Sequence, residues 1–201
     1  MSVVEVIERI AELRAGLIPA ALKAPPVAPG SGATFFAALQ SAGAAAPLTA
    51  ASAIAPGPGG AGLLAAAQRE VGVAEQPPGS NDAPRIAQYR QATAGSGVGP
   101  WCAYFTSWAA REAGMPLGES GQGFGSVDAL NAWAQRAGRA VPNGPGVVPR
   151  PGDLIVWDEH IGVVESVLPD GSVQTIEGNS SDQVSRRTHE AGSALGYVRM
   201  G

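Results

Sequence analysis

The only cysteine of the chain, Cys102, follows a Gly-Pro turn and opens a segment with helical character. In the first turn of a helix, unpaired backbone N–H groups and the helix dipole favour the anionic form of a thiol. A thiolate is a nucleophile that can attack a carbonyl carbon and form an acyl-enzyme. The alternative role for a single cysteine is that of a small apolar side chain in the core.

A cysteine nucleophile needs a general base, and the chain has two histidines, His160 and His189. His160 stands at the head of a β-rich run, directly after Asp158 and Glu159. His189 lies in a charged stretch, residues 186–190, which we interpret as a solvated face. We therefore expect His160 to be the base and His189 to be a structural or surface residue.

An Asp-Gly pair at positions 170–171, between two β-rich runs, predicts a β-hairpin. If these two residues form the turn, Val164 faces Glu177 and Gly162 faces Asn179. A four-residue loop keeps the same parity of facing residues, whereas a three-residue loop without a bulge breaks it. The proposed register therefore depends on the loop.

Because side chains alternate between the two faces of a strand, His160 is expected to share a face with Glu177 and Asn179. Either of them can orient the imidazole, and the missing side chain at Gly162 leaves room for the contact. Taken singly, Glu177 is also an ordinary exposed strand carboxylate, and Asn179 an ordinary turn residue. Together with a cysteine at a helix start, they follow the order that a papain-like mechanism requires.

The elements that must position these residues lie in the second part of the chain. Residues 1–17 predict an amphipathic helix, residues 18–60 a Pro/Ala/Gly-rich linker with an apolar island at 34–42, and residues 61–201 a folded domain. In that domain all expected helices precede the strands, which indicates an α+β fold with the helices packed on a small antiparallel sheet. Helices are expected at 63–71, 82–91, 102–113 and after an N-cap at Ser126, and strands at 153–157, 161–167, 173–176 and 194–199.

The composition limits the functions that the chain can have. A net charge of −4 and scattered arginines argue against a nucleic-acid surface. One cysteine excludes an internal disulfide and a multi-thiolate metal site. The sequence shows no standard signal peptide and no apolar stretch of about 20 residues, so we expect no transmembrane helix.

Four motifs in this order resemble those of CHAP domains, which are cysteine- and histidine-dependent amidohydrolases/peptidases that cut bacterial peptidoglycan. The motifs are Gly99-Pro100-Trp101-Cys102-Ala103-Tyr104-Phe105, Pro151-Gly152-Asp153-Leu154, His160-Ile161-Gly162-Val163-Val164 and Ile176-Glu177-Gly178-Asn179. The resemblance covers about residues 63–200 and implies a papain-like fold. It also implies that Cys102 is the nucleophile, His160 the general base, and Glu177, assisted by Asn179, the group that orients the imidazole.

The resemblance further implies hydrolysis of an amide bond in peptidoglycan, as a muramoyl-L-alanine amidase or as an endopeptidase of the stem peptide or cross-bridge. No cofactor is expected. Some CHAP domains hold calcium through acids just before the cysteine, but residues 95–100 contain no carboxylate, so we predict no metal site. Trp101, Trp157 and Phe124 are candidates either for substrate contacts or for the core.

The first part of the chain resembles the tails of certain actinobacterial wall hydrolases that are encoded with flagellar genes. It implies a non-classical route to the periplasm or cell wall, with flagellar rod or export components as candidate partners beside peptidoglycan. A phage lysin and a non-catalytic adaptor that binds wall peptide or caps a rod-like assembly are the alternatives. A related cysteine peptidase family with a histidine in the final site position is a third, and it predicts that His189 is essential and Asn179 dispensable.

Overall fold

The computed structural model describes residues 55–201, in which four α-helices are followed by six β-strands. The helices are α1 (Pro58–Arg69), α2 (Pro84–Arg90), α3 (Cys102–Glu112) and α4 (Val127–Arg136). The strands are β1 (Ala140–Pro142), β2 (Leu154–Val156), β3 (Ile161–Val167), β4 (Val173–Glu177), β5 (Ser185–His189) and β6 (Gly196–Val198), with a short 3₁₀ helix at Ala191–Ser193. This order confirms the predicted α+β class.

The predicted helix at residues 1–17 lies outside the described residues, as does the linker up to residue 54 with its apolar island at 34–42. Within residues 55–201, no helix is long and apolar enough to cross a membrane.

Helix α1 begins at Pro58 rather than at Leu63, inside sequence that has the composition of a linker. Proline suits the first turn of a helix because its missing N–H has no helical partner there. Gly60 packs directly against Gly152, so closely that a Cβ on Gly152 would lie 2.2 Å from the Gly60 carbonyl oxygen. A glycine at the start of α1 therefore allows a close backbone contact. The composition of the segment, which led to the prediction of a linker, does not reveal this contact.

The strands form one antiparallel sheet with the order β1-β6-β2-β3-β4-β5. Strands β2, β3, β4 and β6 lie within a residue or two of the predicted runs. The sequence pattern did not predict β1 and β5, which are the two edges of the sheet. Strand β5 is rich in charged residues, and charges are a common feature of edge strands.

The two faces of the sheet carry different parts of the core. Alternate residues of each central strand pack under the helices, and the residues between them form a smaller cluster on the far face. The first group includes Leu154, Val156, Ile161, Val163 and Ile176, and the second consists of Ile155, Val164, Val173, Ala194 and Tyr197.

The β3–β4 hairpin has a different register from the predicted one, because Val164 pairs with Thr175 instead of Glu177. The strands are joined by a five-residue loop, residues 168–172. A loop with an odd number of residues would by itself move each side chain of β4 to the opposite face of the sheet from the one predicted. A β-bulge just after Val164 restores the parity. Glu177 therefore stays on the predicted face, although its pairing is shifted by two residues.

Candidate active site

Cys102 is the first residue of α3 and is 5% exposed. The helix begins with a hydrogen bond from the Phe105 N–H to the Trp101 carbonyl oxygen, 2.9 Å long. The backbone N–H groups of the first turn, including that of Cys102, have no acceptor within the helix. They are therefore available to a negatively charged atom beside the thiol.

The start of α3 is anchored by a buried carboxylate that belongs to none of the sequence motifs. Glu75 is 3% exposed, and its Oε1 accepts a hydrogen bond from the Trp101 indole Nε1 at 2.8 Å. Its Oε2 accepts a second bond from the Asn81 backbone N–H at 2.7 Å. The loop that follows α1 is thereby tied to the residue directly before the thiol.

His160 reaches the site from a tight turn between β2 and β3. The Trp157 backbone N–H donates to the His160 carbonyl oxygen at 2.9 Å, which closes a two-residue turn of Asp158 and Glu159. The ring Nε2 of His160 lies 2.9 Å from Oε2 of Glu177. An imidazole has two nitrogens, so Nδ1 is the one left for Cys102.

The charges in this group are set by their mutual contacts. Burial lowers the pKa of His160, but hydrogen bonding to Cys102 and Glu177 outweighs burial and raises that pKa to about 9. Burial raises the pKa of Glu177, whereas hydrogen bonds from His160, Thr175 and His189 lower it to about 2. At neutral pH these pKa values favour a carboxylate at Glu177 and an imidazolium at His160. A protonated imidazole beside a cysteine stabilises the thiolate.

Glu177 has a second histidine partner. His189, the last residue of β5, places its Nε2 2.6 Å from Oε1 of Glu177. The Thr175 hydroxyl donates to the same oxygen at 2.5 Å. The expectation of a solvated face is therefore wrong for His189, whose side chain is only 28% exposed.

The two tryptophans that we considered for substrate contacts occupy different places. Trp157 is half-buried and lies against both imidazoles, with ring centroids 5.8 Å from His160 and 4.5 Å from His189. Trp101 is fully buried, so the structure corrects its assignment as a substrate contact and places it in the core. Phe124, half-buried, packs against Trp133.

Asn179 lies two residues after Glu177 in a left-handed backbone conformation, with φ of 57°. Asparagine tolerates this conformation better than most residues. Within residues 55–201, its side chain makes no hydrogen bond to His160 or Glu177. Its predicted assistance to the imidazole stays a prediction.

A cavity of about 360 Å³ opens beside Cys102. It is bounded by the residue before Trp101, by the first residues of α4 and by the β2–β3 turn. Three carboxylates line it, those of Asp128, Asp158 and Glu159, and all three residues are exposed. The cavity adjoining the thiol thus has a negative rim at neutral pH.

A cysteine at a helix start, a histidine and a buried carboxylate are the groups that cysteine hydrolases combine. Residues 93–179, which contain Cys102, His160 and Glu177, match the family model of the CHAP domain. Among solved structures, the peptidoglycan hydrolase RipB from Mycobacterium tuberculosis matches with 18% sequence identity and a TM-score of 0.43. That match covers 96% of this chain and 80% of RipB. A comparison with curated proteins finds no match.

Proposed function

We propose that the protein is a peptidoglycan hydrolase that cleaves an amide bond by cysteine catalysis. The observation that carries the proposal is the position of His160, whose Nε2 lies 2.9 Å from the Glu177 carboxylate and whose pKa is raised by its interaction with Cys102. The match of residues 93–179 to the CHAP-domain model supports peptidoglycan as the substrate. The residue roles that follow are part of this proposal.

In the first half of the reaction, the Cys102 sulfur attacks the carbonyl carbon of the scissile amide. The backbone N–H of Cys102, unpaired within α3, stabilises the oxyanion of the tetrahedral intermediate. His160 then gives its proton to the amide nitrogen, the C–N bond breaks, and the amine leaves. The acyl group remains on Cys102 as a thioester.

In the second half, water attacks the thioester carbonyl while His160 accepts a proton from it. The C–S bond breaks, the carboxylic acid product leaves, and the sulfur returns to its thiolate state beside the imidazolium. Throughout this cycle the Glu177 carboxylate keeps its hydrogen bond to Nε2, so Nδ1 is the nitrogen that exchanges the proton. The net reaction consumes one water molecule and one amide bond.

The substrate enters through the cavity beside Cys102, where Asp128, Asp158 and Glu159 provide negative charge. A negative rim attracts amino groups, such as those that peptide stems carry on basic residues. Because peptidoglycan lies outside the cytoplasmic membrane, this function requires the enzyme to act there. A flagellum-associated role in wall remodelling is a separate hypothesis that rests on the first 42 residues of the sequence, outside the described part of the chain.

The test compares wild-type protein with Cys102→Ala and Cys102→Ser on purified walls. We expect loss of turbidity with the wild type and none with either variant. Mass spectrometry of the released fragments identifies the new amine: a free L-alanine N-terminus indicates an amidase, and any other new amine indicates an endopeptidase. Equal inactivity of all three proteins on several wall types would instead support the adaptor hypothesis.

A further inference from the structure

We propose that His189 is a positioning residue, which holds the Glu177 carboxylate in the orientation that His160 needs to serve Cys102. The proposal deepens the proposed function and rests on it. His189 itself contacts neither the thiol nor the cavity beside it, and it acts through Glu177.

The geometry divides the two oxygens of one carboxylate between two imidazoles. Oε2 of Glu177 is bound by Nε2 of His160 at 2.9 Å, and Oε1 by Nε2 of His189 at 2.6 Å. Thr175 adds a donor to Oε1. Without His189, Oε1 keeps only the Thr175 hydroxyl, which can rotate with its acceptor. A ring N–H on each oxygen restricts rotation of the carboxylate about its terminal side-chain bond more strongly. The plane of the Glu177 carboxylate in turn fixes the ring of His160.

Because Glu177 is buried, the loss of a hydrogen-bond donor to its carboxylate is costly. The side chain of Glu177 is 3% exposed, so water cannot easily replace a lost donor. Its pKa of about 2 keeps it ionised, and an ionised carboxylate is only an acceptor. Both histidines must therefore donate from Nε2–H. For His160 this leaves Nδ1 as the nitrogen that exchanges a proton with the Cys102 sulfur.

His189 is itself held in place from two sides. Its backbone pairs with Val173 at the far end of the β4–β5 ladder, and its ring lies 4.5 Å from that of Trp157. The indole Nε1 of Trp157 donates to the Ser193 hydroxyl at 3.3 Å. Trp157 also lies against His160, so one aromatic ring covers both imidazoles that share Glu177. These contacts leave His189 few alternatives to its bond with Glu177.

The test uses His189→Ala, which removes the donor, and His189→Gln, whose amide N–H can still donate to Glu177. Thr188→Ala, an exposed change on the same strand, is the matched control. For His189→Ala we expect kcat on peptidoglycan to fall about 10- to 100-fold with little change in KM. This loss is part of the rate enhancement of about 10²–10⁴-fold that general acid–base catalysis contributes. His189→Gln should regain most of the loss, and Thr188→Ala should match the wild type.

Two further measurements need no wall substrate and therefore separate this proposal from the proposed function. The first is the ring NMR titration of His160, and the second is the rate of iodoacetamide alkylation of Cys102 as a function of pH. In His189→Ala we expect the His160 titration to move to lower pH and the alkylation profile to change, with partial restoration in His189→Gln. Unchanged profiles in His189→Ala, or equal damage by Ala and Gln, would overturn the positioning role. Absence of wall hydrolysis by the wild type, with these shifts present, would contradict only the peptidoglycan assignment.

Discussion

Gly162 and Glu177 face each other across the β3–β4 hairpin so closely that a Cβ on Gly162 would lie 2.7 Å from the Glu177 Cγ. Real Cβ atoms do not approach a neighbour that closely, so the Glu177 stem must occupy the space that the glycine leaves. The position of Glu177, which is hydrogen-bonded to His160, thus depends on the absence of a side chain at Gly162 on the adjacent strand.

The contact predicts the effect of Gly162→Ala. The new methyl group displaces Glu177, and because Glu177 orients His160, we expect hydrolysis to fall on the order of 10²-fold. Overpacking should destabilise the fold by about 1–3 kcal/mol, which leaves the protein folded at 25 °C. Turnover on purified walls and chemical denaturation measure the two effects. Gly144→Ala is the control, since a Cβ there meets nothing within 4 Å, and equal activity of both variants would contradict the argument.

The paired pKa shifts predict how stability depends on pH. The pKa of Glu177 is lowered from 4.5 to about 2, so its contribution is present above pH 4.5 and is lost as the pH falls towards 2. The pKa of His160 is raised from 6.5 to about 9, so its contribution is present below pH 6.5 and is lost as the pH rises through 9. These two groups therefore favour maximal stability between about pH 4.5 and 6.5.

Denaturation free energies measured from pH 4 to 10 test this dependence, with Cys102→Ala as the informative variant. Hydrogen bonding to Cys102 is one cause of the raised His160 pKa. Its removal should therefore reduce the loss of stability between pH 6.5 and 9 without altering the acid side. An alkaline loss that is the same in both proteins would show that the thiol does not contribute.

Glu75 provides a prediction about the start of α3. In Glu75→Gln, one of the two acceptor oxygens becomes an NH₂ group and meets an N–H donor, either that of the Trp101 indole or that of Asn81. A buried donor left without an acceptor costs about 1–3 kcal/mol, which urea denaturation would detect. Because Trp101 adjoins Cys102, we also expect slower alkylation of the thiol. Glu112→Gln, at an exposed residue whose side chain makes no hydrogen bond within residues 55–201, should change neither quantity.

The positions of Cys102 and His160 in the fold were predictable because each residue carried a local signal. Cys102 followed a turn and opened a helical pattern, and His160 headed a β-rich run. The face shared by His160 and Glu177 was also correct, although the loop has five residues, because the bulge after Val164 compensates for the odd number. The sheet face on which a side chain lies changes with a register error of one residue but not with an error of two. The identity of the paired residues changes with either error.

His189 and Glu75 were not predictable because their roles depend on contacts between distant segments. The charged residues around His189 are typical of a solvated surface, and only the pairing of β5 with β4 turns that histidine towards Glu177. Glu75 lies 26 residues before Trp101, and no motif connects the two. Buried polar partners of this kind are determined by tertiary packing, which hydrophobic periodicity does not describe.

The start of α1 gives a last prediction, because it depends on one backbone contact. Gly152 has φ of +87°, and a Cβ on it would lie 2.2 Å from the Gly60 carbonyl oxygen. Gly171 has nearly the same φ, +86°, but a Cβ there meets nothing within 4 Å. Alanine at either position should incur the conformational cost of a left-handed residue, about 1–2 kcal/mol.

Only Gly152→Ala adds a clash, and the obstacle is a backbone atom that cannot rotate away. We therefore expect Gly152→Ala to be more destabilising than Gly171→Ala by about 1–3 kcal/mol, the usual cost of overpacking. Urea denaturation of the two variants isolates this difference, since the conformational strain is common to both. Equal destabilisation would mean that the first turn of α1 does not pack against Gly152.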